Sequence, residues 1–185
     1  MLETARLILR RWQDGDRASF AAMAADPEVM GDAPGVMSRS ESNDLFDFFL
    51  ACWAEDGLCY GAIERKADGV MLGMAGLAWC RFAAPRCPSF EIGWALRRAH
   101  WGQGYATEAA RAWITQAFGP MRVVELLAFT ESDNQRSQAL LRRLGFRLDG
   151  TEELPPHLSS DRAPERRRQL HSLAREDWCP RGRQA

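Results

Sequence analysis

The chain has no long apolar run and no excess of charge of one sign, and each absence excludes a class of protein. A membrane-spanning helix needs roughly 20 consecutive apolar residues, and no stretch approaches that length, so no membrane span is expected. Basic and acidic residues nearly balance, with a formal net charge of −1. The molecule as a whole therefore has no attraction for nucleic acid or for an anionic membrane.

Paired cysteine motifs are also missing. The cysteines form no C-x-x-C pair and their number is odd, at positions 52, 59, 80, 87 and 179. A disulfide framework and a structural zinc site are therefore disfavoured, and no metal is expected. The opening segment "MLETARLILRRW" carries charge from residue 3 and has only a short apolar run, unlike a secretory signal peptide. These features predict a protein of the reducing cytoplasm.

What the chain has is the composition of one globular domain. Its 185 residues are 46% apolar, enough for a single domain, 1–185, with a full-sized core. The apolar periodicities predict the order β, α, α, β, β, β, α, β, α, β, β, which indicates an α/β fold around a sheet of mixed strand directions. The predicted strands are 5–10, 58–65, 70–79, 88–96, 122–130 and a final pair, and the predicted helices are 14–30 with a stop near Pro27, 42–56, 105–118 and 131–145.

Two helices carry more detailed expectations. In the helix over 42–56, the apolar face is predicted to consist of Leu45, Phe48, Phe49 and Cys52. The helix after residue 130 is predicted to open with Ser132 and Gln135 as capping residues and to end at Gly145.

The segment "HWGQGYATEAARAWITQAF", residues 100–118, places Gly102 and Gly104 directly before a helical pattern. Because the first amides of a helix have no intrahelical partner, bare glycines there would let a phosphate reach those donors. Taken alone, Gly-x-Gly is a weak signal and favours a tight strand-to-helix turn without a ligand. The dinucleotide motif G-x-G-x-x-G fails at Thr107, and the P-loop is excluded because no Gly-Lys-Ser/Thr follows.

Several segments, in order along nearly the whole chain, resemble the GNAT N-acetyltransferase superfamily, and within it the group of ribosomal-protein N-terminal acetyltransferases. "RRAHWGQGYATEAARAWITQAF" is similar to the acetyl-CoA-binding segment of that family. "ETARLILRRW" resembles its first strand, "FEIGWAL" its central strand, "TESDNQRSQALLRRLGF" its second signature helix and "LHSLAREDW" its last strand. Together these matches favour the ligand-binding interpretation of the glycines.

The resemblance implies a GNAT fold: a mixed sheet of about seven strands, splayed into a V and flanked by about four helices. Acetyl-CoA would bind as co-substrate in the V, its arm along free backbone of a central strand and its diphosphate on the amides of the glycine turn. Trp101 stands where the superfamily often has Gln or Arg. The implied cofactor-binding residues are Trp94, Leu96, Trp101, Gly102, Gln103, Gly104, Tyr105, Ala106, Thr107 and Asn134.

The implied chemistry is direct attack of a neutral primary amine on the thioester. Glu91 is the candidate general base, because strand alternation points it away from Ile92 and toward the cleft; a strand carboxylate paired with an arginine is the alternative. Many family members have a Tyr acid where this chain has Leu141, and the resemblance assigns the acid role to Ser137 instead. Ser137 could equally be an ordinary first-turn helix residue.

The resemblance favours the N-terminus of a protein or peptide as the amine acceptor. A small-molecule amine (a polyamine, an amino acid or an aminoglycoside) is nearly as well supported. Acceptor walls are expected from residues 28–45, 80–90 and 155–165, and the chain is expected to be a monomer or a homodimer. A function of another class stays open: a non-catalytic acyl-CoA-binding or regulatory module on the same fold, which the missing Tyr acid would suit.

Overall fold

A computed structural model describes residues 1–30, 35–80, 86, 88–154 and 166–179. Within them one eight-stranded sheet runs in the order β1-β2-β3-β4-β5-β6-β8-β7. All neighbouring strands are antiparallel except β5 and β6, so the predicted mixed α/β sheet is confirmed. The strands are β1 Leu2–Glu3, β2 Leu7–Arg10, β3 Tyr60–Arg65, β4 Met71–Cys80, β5 Ser89–Leu96, β6 Glu125–Thr130, β7 Arg147–Leu154 and β8 Arg166–Ala174.

The helices of the described residues pack against this sheet. They are α1 Arg17–Ala24, α2 Pro27–Met30, α3 Arg39–Asp56, α4 Tyr105–Phe118 and α5 Gln135–Leu144. Pro27 ends the first helix as predicted and then begins a short second one, because proline is well suited to a first helical position, where its missing N–H has no partner. None of these helices is long and apolar enough to cross a membrane.

Helix α3 starts earlier than predicted and buries a different face. Ser38 caps it, accepting from the Glu41 N–H while the Glu41 carboxylate accepts from the Ser38 N–H, so the helix begins at Arg39 and not at residue 42. The predicted apolar face is wrong at Phe48, which is 44% exposed. Phe46 and Trp53 are buried with Phe49 instead, because an aromatic cluster with α1 and the segment after β2 decides which face turns inward.

The two parallel strands separate soon after they meet. The β5–β6 register holds only two pairs, Phe90 with Leu126 and Glu91 with Leu127. Beyond them both strands continue, β5 to Leu96 and β6 to Thr130, without pairing to each other. The carboxyl ends therefore diverge and leave the V-shaped opening that the resemblance implies.

Candidate active site

The opening between β5 and β6 is a cleft with apolar walls and a few polar side chains. Its apolar lining comes from β4, β5, β6 and helices α2, α3 and α5: Val29, Met30, Leu45, Phe49, Met74, Ile92, Trp94, Ala95, Ala128, Phe129 and Leu141. Its polar lining consists of Tyr60, Thr130, Glu131, Asn134, Ser137 and Arg168. A mostly apolar cleft with a small set of polar groups is typical of a small-molecule site. Of the predicted acceptor walls, 31–34, 81–85, 87 and 155–165 lie outside the described residues.

The glycine turn connects β5 to α4 in a conformation that favours glycine. Gly102 has φ +74° and Gly104 has φ +79°, both in the left-handed region where a side chain is strained. A Cβ at Gly102 would meet no atom within 4 Å, so the backbone there faces open space. The glycines at 102 and 104 are therefore required by the backbone and also leave its surface bare.

The amides of this turn can bind an anion. Between Gly102 and Thr107, no backbone N–H donates to another described residue; the first intrahelical bond runs from the Glu108 N–H to the Gly104 carbonyl. Gly102, Gln103 and Gly104 are exposed, and the N-terminal end of α4 adds partial positive charge. The predicted residues from Gly102 to Thr107 thus lie together, and their unpaired amides fit a diphosphate group.

Thr4 and Arg6 of the N-terminal segment contact the turn and α4, and the sequence analysis missed these contacts, which are called the tie below. The Arg6 guanidinium donates to Glu108 on α4 at 2.6 Å and to the Gln103 carbonyl at 3.0 Å, and it lies 4.5 Å from the centre of the Tyr105 ring. The Thr4 hydroxyl donates to the same Glu108 at 2.6 Å. Arg6 and Glu108 are 102 positions apart and carry no local sequence signal, so only the fold pairs them.

Of the two predicted cofactor contacts on β5, one lines the cleft and the other does not. Trp94 lines the cleft, beyond the point where β5 leaves β6. Leu96 is buried, does not line the cleft, and its carbonyl accepts from the Trp101 indole N–H at 2.7 Å. The Arg136 guanidinium of α5 lies 4.1 Å from the Trp101 ring centre, so Trp101 connects the end of β5 to α5.

Helix α5 brings Asn134, Ser137 and Leu141 to the cleft. The cap of this helix is Asn134 and not Ser132, since Asn134 Oδ1 accepts from the Ser137 N–H at 3.0 Å. That bond orients the Asn134 side chain and leaves its amide N–H group for another acceptor. Leu141, 1% exposed, has only apolar contacts to offer at the position where the family often has Tyr.

The prediction that Glu91 points into the cleft is wrong: Ile92 lines the cleft, and Glu91 lies behind its wall. Glu91 is 6% exposed, and its Oε1 accepts a hydrogen bond of 2.6 Å from the Tyr60 hydroxyl. Burial raises the pKa of Glu91, while the Tyr60 hydrogen bond and the positive charge of Arg168 act to lower it. Tyr60 lines the cleft and Glu91 does not, so Tyr60 stands between the carboxylate and the open space.

Two more polar features of the cleft were missed by sequence reasoning. Thr130 is 6% exposed, and its hydroxyl has no hydrogen-bond partner among the described residues. At the rim, Arg168 of β8 donates to Glu131 at 3.1 Å. These residues come together only where β6 and β8 pair, so their spacing along the chain holds no signal. Within the described ranges no cluster of His, Cys, Asp or Glu could hold a metal ion.

Comparison with known proteins agrees with this geometry. A family model of the acetyltransferase (GNAT) domain matches residues 6–147. The FsC-acetyl coenzyme A-N(2)-transacetylase of Aspergillus fumigatus is 30% identical, with 97% of this chain and 83% of that protein covered.

Solved structures show the same fold. The acetyltransferase from Agrobacterium tumefaciens str. C58 superposes with a TM-score of 0.73 at 28% identity, covering 93% of this chain and 92% of that one. RimL, described as a ribosomal L7/L12 alpha-N-protein acetyltransferase in complex with coenzyme A, has a TM-score of 0.70 at 17% identity, covering 92% and 95%, which shows the fold alone. The chain therefore belongs to the GNAT acetyltransferase family and is an N-acetyltransferase.

Proposed function

We propose that this chain transfers the acetyl group of acetyl-CoA to a primary amine, with the α-amine of a protein or peptide as the favoured acceptor. The observation that carries the proposal is the run of unpaired amides from Gly102 to Thr107, placed where β5 and β6 diverge. These amides would hold the diphosphate, the free backbone of β5 near Trp94 would hold the arm, and the Asn134 amide group would donate to the arm. Acetyl-CoA, when bound, supplies an activated thioester carbon to the amine.

Proton transfer is assigned to Glu91 and Ser137. An amine attacks only in its neutral form, so a group near the cleft must accept a proton. The raised pKa of Glu91 makes its carboxylate a better base near neutral pH, and a water in the cleft carries the proton past Tyr60. Ser137 lies on the cleft wall and donates its proton to the departing sulfur while it takes one from water in the cleft, so the proton lost by the amine balances the one gained by coenzyme A.

The charge of the described cleft wall favours a monoamine over a polycation. Among the described lining residues the only carboxylate is Glu131, and it is paired with Arg168. A polyamine or an aminoglycoside carries several positive charges, which need several acidic partners. An α-amine with an ordinary pKa near 8 is also easier to present neutral than a lysine with a pKa of about 10.4.

The relatives support both kinds of acceptor. RimL is named for the α-amine of a ribosomal protein, and the Aspergillus enzyme is named for transfer to an N(2) nitrogen. A small-molecule monoamine is therefore the second candidate. The names of the relatives disfavour a non-catalytic module, and a reducing cytoplasm remains the proposed compartment.

The test is release of free thiol from acetyl-CoA, measured with matched acceptors between about pH 6 and 9. One peptide is supplied with a free α-amine and again with that amine acetylated; a free amino acid and spermidine complete the set. We expect release with the free peptide and none with its acetylated form. Release with the amino acid alone would move the assignment to a small molecule, and release with spermidine alone would contradict the charge argument. Thermal stabilisation by coenzyme A without thiol release from any amine would support the binding module.

A further inference from the structure

Tyr60, at the start of β3, lines the cleft on one side and contacts Glu91 on the other. Its hydroxyl donates to Glu91 Oε1 at 2.6 Å, and both residues are more than nine-tenths buried. The pair joins two strands that are not neighbours, since β4 lies between β3 and β5. A tyrosine ring must therefore cross a whole strand to reach the carboxylate.

The backbone of Tyr60 is held by two tryptophans. Its carbonyl accepts from the Trp12 indole N–H at 2.9 Å and from the Trp53 indole N–H at 3.0 Å. A carbonyl oxygen has two lone pairs, so both acceptor positions of Tyr60 are occupied. The Phe49 ring packs edge-on against the Tyr60 ring at 5.7 Å and 86°. These contacts hold the start of β3 and the plane of the ring.

Two glycines, one on β4 and one on β5, leave space for the Tyr60 ring. In the sheet register Tyr60 lies opposite Gly76 of β4, and Gly76 lies opposite Gly93 of β5. A Cβ on Gly93 would come within 2.9 Å of the Tyr60 ring carbon Cε1. Since a real Cβ does not approach a ring so closely, Gly93 is needed for the ring to reach Glu91.

The other titratable groups around the pair are one arginine and two thiols. Arg168 of β8 acts to lower the pKa of Glu91. Cys59, directly before β3, and Cys80, at the end of β4, are thiols near Tyr60, and burial raises the pKa of Cys59 far above its usual value, so that thiol stays neutral. Burial and the nearby Glu91 raise the pKa of Tyr60 well above 10. The Tyr60 hydroxyl therefore keeps its proton, and stays a hydrogen-bond donor, near neutral pH.

We propose that Tyr60 is a positioning residue for the general base: its hydroxyl holds the Glu91 carboxylate directly behind the cleft wall and stabilises its ionised form. This inference rests on the proposed function, in which Glu91 accepts the proton of the amine. A hydrogen bond to a carboxylate favours the charged state, so the bond offsets part of the cost of burying Glu91. The base is then ionised near neutral pH while it remains shielded from water.

Tyr60→Phe tests the inference, because it removes one oxygen and keeps the ring in place. The first measurement is the pH profile of kcat/KM with one acceptor for both proteins, so that the amine contributes equally. We expect the acidic limb to move up by roughly one pH unit, because a hydrogen bond to a charged group contributes on that scale. The second measurement needs no activity: carbon-13 NMR of the glutamate carboxyls, with the Glu91 signal identified from Glu91→Gln, should show the same upward shift in titration.

Trp53→Phe is the matched control. It removes one of the two indole donors to the Tyr60 carbonyl and leaves the hydroxyl, so we expect lower thermal stability with an unchanged acidic limb. An unmoved limb and an unmoved Glu91 titration in Tyr60→Phe would overturn the inference. If the titration moves but the limb does not, and Glu91→Gln also leaves the limb unchanged, the base assignment of the proposed function fails and the role of Tyr60 falls with it.

Discussion

The glycine turn and the Tyr60–Glu91 pair serve the same proposed reaction with opposite means. The turn is exposed at residues 102–104, is contiguous in sequence, and would act through backbone amides between residues 102 and 107. The pair is buried, spans 31 positions of the chain, and would act through two side chains. Anion binding by amides needs only a local backbone conformation, whereas tuning a buried acid needs neighbours from several strands.

The difference also predicts what each region tolerates. The turn depends on positive φ angles at two glycines, so a side chain there disturbs the conformation directly. The pair depends on burial, so its carboxylate costs stability when ionised and a neutral substitute should relieve that cost. At the turn, a substitution should therefore change cofactor binding independently of its effect on stability. At the pair, replacing Glu91 should lower activity and raise stability.

The largest expected effect is that of Glu91→Gln on activity. General-base catalysis typically contributes about 100-fold or more, so we expect kcat/KM at pH 7 to fall by about that factor. The same change should raise the melting temperature at pH 7 by about 2–4 °C, the shift that about 1 kcal/mol produces in a chain of this size. Activity assays and thermal melts of the same samples measure both.

The stability gain should depend on pH with a definite sign. Because the folded protein raises the pKa of Glu91, the cost of its charge is absent below the ordinary glutamate pKa of about 4.3 and is complete above the raised folded value. Glu64→Gln is the control, since Glu64 of β3 forms an ion pair with Arg10 at 2.6 Å; it should lower the melting temperature and leave activity unchanged. A Glu91→Gln protein less stable than wild type at pH 7 would contradict the burial argument.

The next effect in size is that of Gly102→Ala on coenzyme A binding. Alanine is strained at φ +74°, by about 1–2 kcal/mol, so the turn should relax and carry its amides away from the diphosphate. We expect the dissociation constant for coenzyme A, measured by titration calorimetry, to rise about tenfold, as the loss of about 1.4 kcal/mol would produce.

Gly57→Ala introduces the same strain at a residue that does not line the cleft. Gly57, at the C-terminal end of α3, has φ +69°, and a Cβ added there, as at Gly102, would meet no atom within 4 Å. Both variants should lose similar thermal stability, but only the change at 102 should weaken coenzyme A binding. Equal binding in the two variants would show that the turn holds no cofactor.

The smallest effect should come from the tie that supports the turn. Arg6→Lys keeps the charge but cannot reproduce the fork that contacts Glu108 and the Gln103 carbonyl. We expect the KM for acetyl-CoA to rise about two- to fivefold with little change in kcat, since a partly exposed ion pair contributes less than about 1 kcal/mol. Steady-state kinetics at varied acetyl-CoA concentration measures kcat and KM separately.

Arg17→Lys is the control for this tie, because Arg17 also combines an ion pair, with Asp47, and a cation–aromatic contact, with Phe46. It should leave both kinetic constants unchanged. The tie should also fail in acid: burial acts to raise the pKa of Glu108, but bonds from Thr4 and Arg6 outweigh it and lower that pKa. The contribution of Glu108 to stability is therefore present above about pH 4.3 and is lost as the pH falls through its lowered folded value.

Local patterns predicted the parts of the fold that neighbouring residues decide. Sheet strands, the helix after Gly104 and its exposed amides follow from periodicity and from glycines at a helix start. The apolar face of α3 was predicted wrongly at Phe48, because the choice between faces depends on aromatic partners in distant segments. The cap at Asn134 was missed because Ser132 and Asn134 have equally good capping side chains. The backbone conformation where the chain enters the helix decides between them.

The amino-acid sequence by itself determined the membership of the chain in its family, the mixed α/β sheet and the place of the bare amides, because motifs, periodicities and glycines can be identified along the chain without knowing which segments pack together. Only the tertiary structure decided that Tyr60 reaches Glu91 across β4, that Gly93 makes room for its ring, and that Arg6 supports the turn. These contacts depend on strand register and burial, which arise when distant segments pack. Charge and acidity in the cleft therefore follow from the fold and not from any motif.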